Sequence, residues 1–128
     1  MEAEAMMTGK VTANDEAILQ LSVRGPEGLE QEIETIIDTG YNGFLTLPTN
    51  LIANLNLVWR RRERALLADG SETFFDLYEA TVVWDGNPRR VAADAVDADS
   101  LLGMSLLRGY EMTIQVINGG EVTIKPLQ

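Results

Sequence analysis

The sequence contains no cysteine and no histidine among its 128 residues. The absence of cysteine excludes disulfides and thiol nucleophiles, and the absence of histidine excludes Ser-His and Cys-His catalytic pairs. The usual zinc sites are excluded as well, since they are built largely from these two residue types. Any general acid–base chemistry must therefore use Asp, Glu, Tyr or Lys.

Basic residues are also scarce. The sequence has 10 Lys and Arg but 20 Asp and Glu, which gives a formal net charge of −10. Proteins that bind nucleic acid need a basic surface that releases counterions from phosphates. Anionic membranes attract basic segments for a similar electrostatic reason. The charge therefore predicts that neither nucleic acid nor a membrane is a partner.

No apolar run approaches the length that spans a bilayer. The first seven residues are acidic and short, unlike a signal peptide with its basic end and apolar stretch. We therefore expect a soluble, cytoplasmic protein. The length suits one domain, residues 1–128, with one modest core. Residues 1–9 are expected to form a flexible N-terminal extension.

Alternation of apolar and polar residues dominates over helical periodicity along the chain. Turn-forming residues divide the alternating segments, notably at Asp69-Gly70-Ser71, at 85–88 and at 118–120. Short helices are predicted from Pro48 to about Leu57 and within residues 101–109. The predicted strands are 17–23, 32–38, 43–47, 64–68, 72–84, 90–96, 112–116 and 121–124. The pattern predicts an all-β barrel or sandwich with one or two short helices.

Asp38 carries the most informative chemistry in the sequence. The apolar pair Ile36-Ile37 delivers this carboxylate to the end of a predicted strand, and Thr39 and Gly40 follow it. Gly40 allows a tight turn that brings a backbone N–H close to the carboxylate, and Thr39 offers a hydroxyl that can lock the loop. The tripeptide alone is weak evidence, because an ordinary loop aspartate at a strand end has the same appearance.

The longer run from Ile36 to Pro48 resembles the active-site segment of retropepsin-like aspartic peptidases. In that family two apolar residues precede Asp-Thr/Ser-Gly and an apolar strand follows. The segment Leu101-Leu102-Gly103 is similar to the family's apolar-apolar-Gly segment, which packs beneath the catalytic loop and leads into a short helix. The resemblance extends from about Val11 to Ile124, and it is closest to short bacterial members, the cyanobacterial ones in particular.

The resemblance implies a pepsin-type closed barrel that forms a single lobe. It implies that Asp38 is the catalytic carboxylate of an aspartic endopeptidase, with Thr39 and Gly40 as its supports. The hairpin tip Asp69-Gly70-Ser71 occupies the place of the family's flap, which covers substrate. In the implied mechanism two carboxylates activate a water, so no metal and no cofactor are required.

A second Asp-Thr/Ser-Gly is not found anywhere in the sequence. The second carboxylate should therefore come from an identical chain across a two-fold axis, which predicts a homodimer that acts on peptide or protein substrates. Two other classes remain open. One is a non-catalytic dimeric binding or regulatory module on the same fold. The other is an unrelated small β-barrel such as an antitoxin-like transcription factor, which the acidic charge disfavours.

Three departures from the family pattern bear on activity. Tyr41 stands where relatives often carry a small residue, so its ring either narrows the substrate channel beside the catalytic carboxylates or packs outward. Met104 and Ser105 replace the Arg and Asp or Asn of retroviral members, so dimer contacts cannot be transferred. The flap tip has a single glycine, Gly70.

Four of the ten basic residues lie in one pentapeptide, residues 60–64. They are interpreted either as a docking site for an acidic partner or, preferably, as a solvated strand face that balances nearby acid.

Overall fold

The computed structural model describes residues 6–127, and this part of the chain forms ten strands and two short helices. The predicted all-β class with short helices is therefore confirmed. The elements are β1 (Met7–Val11), β2 (Ala17–Arg24), β3 (Glu30–Ile37), β4 (Leu45–Leu47), α1 (Thr49–Asn54), β5 (Val58–Leu66), β6 (Glu72–Trp84), β7 (Asn87–Ala95), β8 (Leu101–Leu102), α2 (Met104–Leu107), β9 (Tyr110–Ile114) and β10 (Glu121–Pro126).

Six strands close into a ring. The strand order runs β6-β7-β4-β8-β3-β2, and an additional pairing of β2 with β6, at Val23↔Val82, joins the two ends. Closure leaves these six strands without a free edge, as the predicted barrel requires. The strand β5 extends the sheet beyond β6, and β1, β10 and β9 extend it beyond β2.

The alternating residues of the ring fill its interior. Leu19, Leu21 and Val23 of β2 are buried, as are Ala80 and Val82 of β6, because period-2 alternation puts every second side chain on one face. The short β4 has all three residues buried, and α1 and α2 cover the core with buried leucines and one isoleucine. This core supports the ends of β3, β4 and β8, where the candidate site lies.

The N-terminal prediction was wrong for residues 7–9. They belong to β1, which pairs with β10 at Met7↔Ile124 and Gly9↔Val122, whereas residues 1–5 of the expected extension lie outside the described residues. Gly9 weakens the strand pattern in the sequence, but β1 needs it: a Cβ there would lie 2.0 Å from the Ile18 carbonyl oxygen of β2.

Smaller differences in element bounds have local causes. The helix α1 ends at Asn54 rather than near Leu57, because the chain turns at Asn56, which has a φ of 52°. The turn after β6 needs only Asp85 and Gly86, both at positive φ, so Asn87 and Pro88 already belong to β7. Between residues 6 and 127, no helix combines the length and the apolar character needed to cross a membrane.

A pair of identical substitutions tests the core. Leu45 is 0% exposed in the ring, whereas Leu66 is 75% exposed near the end of β5. Leu45→Ala should lower the free energy of unfolding by about 2–5 kcal/mol, because it leaves a cavity in a packed interior. Leu66→Ala should change it by less than about 0.5 kcal/mol. Urea denaturation of both variants checks this, and equal losses would contradict the described core.

Candidate active site

Asp38 immediately follows β3, and three backbone contacts hold it there. Its N–H donates to the Leu102 carbonyl oxygen at 2.9 Å, and its own carbonyl oxygen accepts from the Tyr41 N–H at 3.1 Å. The Gly40 N–H donates to Asp38 Oδ1 at 2.9 Å. The side chain is half-buried, so a carboxylate of fixed direction remains accessible from solvent.

Gly40 and Thr39 have different surroundings in this turn. A Cβ at Gly40 would lie 3.2 Å from Asp38 Oδ1, tighter than an ordinary contact, so glycine allows the N–H to reach the carboxylate. Thr39 is exposed, and its hydroxyl makes no hydrogen bond within residues 6–127. The hydroxyl of Thr39 is therefore free to bind a group from outside this chain.

The second sequence motif lies directly beneath the Asp38 loop, here defined as residues 38–44. Leu101 and Leu102 of β8 pair in parallel with Ile36 and Ile37 of β3. The next residues then bind the loop through their backbone N–H groups: Gly103 to the Phe44 carbonyl oxygen at 3.0 Å, Met104 to that of Tyr41 at 2.8 Å and Ser105 to that of Gly43 at 3.1 Å. The two segments that carry the sequence resemblance are thus in direct contact.

Ser105 makes a further contact with the same loop. Its hydroxyl donates to the Asn42 carbonyl oxygen at 2.6 Å. The serine that replaces a charged or amide residue of retroviral members therefore binds the loop of its own chain. Met104, beside it, is exposed.

Tyr41 is half-buried against the underside of the loop. Its hydroxyl donates to Asp94 Oδ2 at 2.5 Å, and the ring lies close to Gly43 and Gly103. The ring therefore packs inward, towards Asp94 of β7, rather than outward. The sequence analysis did not identify Asp94 as a site residue. The sequence feature that could have indicated Asp94 is its position as the single carboxylate within the otherwise apolar run of residues 91–96.

The electrostatics of this pair follow from its partial burial. Burial and the neighbouring Asp94 carboxylate both raise the pKa of Tyr41 well above its ordinary value, so the phenol keeps its proton. Burial also raises the pKa of Asp94, while the hydrogen bond from Tyr41 opposes that rise. Two charged residues of β5 have smaller effects: the negative charge of Glu63 raises the pKa of Asp94, and the positive charge of Arg61 lowers it.

The predicted flap tip forms the turn between β5 and β6. Asp69 Oδ1 accepts hydrogen bonds from the Ser71 N–H at 2.9 Å and from its hydroxyl at 2.5 Å, and the hydroxyl contact lowers the pKa of Asp69. Gly70 has a φ of +87°, which favours glycine. Leu67 and Phe74 are exposed on this hairpin. Within the described chain, no hydrogen bond joins the hairpin tip to the Asp38 loop.

A groove of about 580 Å³ lies beside the Asp38 loop. Thr39 and Asn42 line it from the loop, Met104 from α2 and Met112 from β9. The strand β9 is at one end of the strand order, so its outer edge has no strand partner among residues 6–127. The groove and this edge form an apolar surface next to Thr39.

The arginines of β5 are paired with acidic residues of their own chain. Arg60 contacts Glu79, Arg61 contacts Glu63 at 2.7 Å, Arg62 contacts Asp76 at 3.2 Å and Arg64 contacts Glu72 at 3.4 Å. These exposed pairs favour the interpretation of a solvated strand face. In the described part of the chain, no group of three or more acidic side chains is arranged to hold a metal ion.

Comparison with known proteins gives likenesses in structure only. No protein-family model matches this sequence, and no curated protein matches it at a significant level. A retropepsin-like aspartic protease from Rickettsia conorii superposes with a TM-score of 0.58 at 14% identity, covering 97% of this chain and 92% of that chain. The EIAV protease in complex with the inhibitor HBY-793 gives a TM-score of 0.54 at 14% identity, covering 73% of this chain and 86% of that chain. Residues 6–127 therefore have a retropepsin-like fold, as the sequence resemblance predicted.

Proposed function

We propose that this chain is an aspartic endopeptidase that acts as a homodimer, with one Asp38 from each chain. The observation that carries the proposal is the Asp38 carboxylate, which accepts a hydrogen bond from Gly40 at the end of β3 and remains accessible. The fold shared with the Rickettsia conorii and EIAV proteases supports it, because both are proteases by description.

The chemistry needs two carboxylates on either side of one water. Two such groups in close contact cannot both ionise, so the pair shares a proton. The ionised member takes a proton from the water as it attacks the peptide carbonyl carbon. The protonated member donates a hydrogen bond to the carbonyl oxygen and later helps to protonate the leaving amine. Thr39 and Gly40 orient the two carboxylates.

The surface next to Thr39 is suited to the second copy of the chain. A two-fold axis beside Thr39 would bring the Asp38 loops together, because an isologous interface places the same patch against itself. The apolar side chains Met104 and Met112 and the free edge of β9 flank that position. A partner there would cover exposed apolar surface and give the Thr39 hydroxyl a partner.

The outer part of the β5–β6 hairpin, residues 67–74, is proposed to cover the substrate, with Asp69, Gly70 and Ser71 at its tip. Exposed Leu67 and Phe74 would then contact apolar side chains of a bound peptide. The internal hydrogen bonds of Asp69 stabilise the tip turn.

A non-catalytic dimeric binding module is the second candidate. Its support in the sequence was Tyr41 and the flap tip with one glycine. The inward packing of Tyr41 removes the first of these reasons, and the single tip glycine, Gly70, remains.

Asp38→Asn should abolish peptide cleavage and leave the fold unchanged. Asparagine keeps the shape of the side chain but cannot accept the proton of the water. Cleavage of a denatured-protein mixture measures the loss, and circular dichroism controls for folding. Asp15→Asn is the matched control, because Asp15 is exposed in a turn between β1 and β2 and its positive φ suits asparagine. Equal, measurable cleavage by wild type and Asp38→Asn would remove Asp38 from the mechanism. If the wild type itself cleaves nothing, the binding module is favoured.

Activity should fall as the pH rises far enough to ionise both carboxylates of the pair. The shared proton is then lost, and no acid remains to assist the carbonyl oxygen. The net charge of −10 per chain shifts the falling limb to higher pH, and added salt reduces that shift. Cleavage rates measured from acidic to alkaline pH at two salt concentrations test this. A rate that keeps rising at alkaline pH would indicate a different base.

Specific activity should decline on dilution, because a single chain supplies one carboxylate. Light scattering should detect a species of twice 14.1 kDa at concentrations that support cleavage. Met104→Lys should weaken the dimer, since it places a charge on the proposed interface. Leu29→Lys is the matched control, since Leu29 lies just before β3, at the end of that strand away from Asp38, and is 48% exposed, while Met104 is 46% exposed. A fully active monomer would overturn the shared site.

A further inference from the structure

Tyr41 connects the Asp38 turn to the segment beneath it through its backbone. Its N–H donates to the Asp38 carbonyl oxygen at 3.1 Å, and its carbonyl oxygen accepts from the Met104 N–H at 2.8 Å. The turn that holds the Asp38 carboxylate therefore ends at Tyr41. A displacement of Tyr41 would be passed directly to the turn, because only Thr39 and Gly40 separate the two residues.

The side chain of Tyr41 is anchored to the barrel. Its hydroxyl donates to Asp94 Oδ2 at 2.5 Å, and the Leu45 carbonyl oxygen is a second, longer acceptor at 3.3 Å. Asp94 lies in β7, where it is paired on one side with Leu77 of β6 and on the other with Thr46 of β4. A hydrogen bond to a carboxylate in a half-buried position is strong and directional. The Asp38 turn is thus attached through one side chain to β7, a ring strand that is paired on both sides.

Two glycines leave space for the ring at this position. A Cβ at Gly43 would lie 2.3 Å from the Tyr41 hydroxyl oxygen, and a Cβ at Gly103 would lie 2.6 Å from Tyr41 Cδ2. Real Cβ atoms do not approach other atoms so closely, so any larger residue would displace the ring. Glycine at both positions is therefore matched to the tyrosine and its contact with Asp94.

We propose that Tyr41 and Asp94 form a positioning pair that fixes the direction of the Asp38 carboxylate for catalysis. This inference rests on the peptidase function proposed above. Neither residue touches the reacting atoms in this role. Tyr41 holds the end of the turn, Asp94 holds Tyr41, and the turn then presents Asp38 Oδ1 to the Gly40 N–H.

Tyr41→Phe tests the pair, because phenylalanine retains the ring and its packing and removes the hydrogen bond. We expect kcat to fall about 10- to 100-fold, since small displacements of catalytic groups are costly, while KM stays within about threefold. Asp94→Ala should give a similar loss. The double variant should be no slower than the slower single variant, because each change already removes the hydrogen bond between Tyr41 and Asp94.

Tyr78→Phe is the matched control. Tyr78 is half-buried in β6, and its hydroxyl makes no hydrogen bond to any residue from 6 to 127. Removal of this hydroxyl should leave kcat unchanged. An unchanged kcat in Tyr41→Phe, or losses that multiply in the double variant, would overturn the inference while leaving the peptidase proposal intact.

Hydrogen–deuterium exchange separates failure of the pair from failure of the proposed function. The Gly40 and Tyr41 amides should exchange at least tenfold faster in Tyr41→Phe, and core amides such as that of Val82 should be unaffected. This readout needs no substrate. If wild type cleaves nothing, the peptidase proposal fails and exchange still decides whether the pair holds the turn. Unchanged exchange of the Gly40 and Tyr41 amides in Tyr41→Phe would show that the pair does not hold the turn.

Discussion

The backbone contact between the Asp38 loop and the segment after β8 is the constraint on which the candidate site depends. The parallel pairing of β3 with β8 ends at Ile37↔Leu102, and the Asp38 N–H then continues it with a hydrogen bond to the Leu102 carbonyl oxygen. Three further N–H groups, from Gly103 to Ser105, bind carbonyl oxygens of the loop. These backbone hydrogen bonds set the path of the loop, and the side-chain contact of Tyr41 with Asp94 adds to them.

Glycine at position 103 is what permits this close approach. A Cβ there would lie 2.1 Å from the Gly43 carbonyl oxygen, so a larger residue would separate the two segments and break the hydrogen bonds. The same absence of a side chain leaves room for Tyr41 beneath the loop. The geometry of the turn and the placement of the Tyr41 ring therefore both require glycine at position 103.

The buried and the exposed parts of the candidate site have different roles. The ring of six strands supplies a buried support, to which Asp94 connects the loop. The groups proposed to meet other molecules lie on the surface: Thr39, Met104 and the outer part of the β5–β6 hairpin, with Leu67 and Phe74, are exposed. A site held by a packed barrel can keep its direction while its surroundings admit a partner and a substrate.

The sequence by itself determined most of the strand pattern, the placement of Asp38 at a strand end and the approximate position of the β5–β6 turn. These features depend on local chemistry: alternation selects strands, and Asp-Gly selects tight turns. The sequence also predicted the retropepsin-like fold, through two motifs in a characteristic order. It did not determine that β1 is a strand, because a glycine such as Gly9 weakens a strand pattern locally. The reason for glycine at this position is the close approach of β2, which the sequence does not reveal. Only the tertiary structure decided that Tyr41 turns inward and that Asp94, 53 residues away, receives its hydroxyl. That contact depends on how β7 is placed against the loop, and no local pattern carries such information.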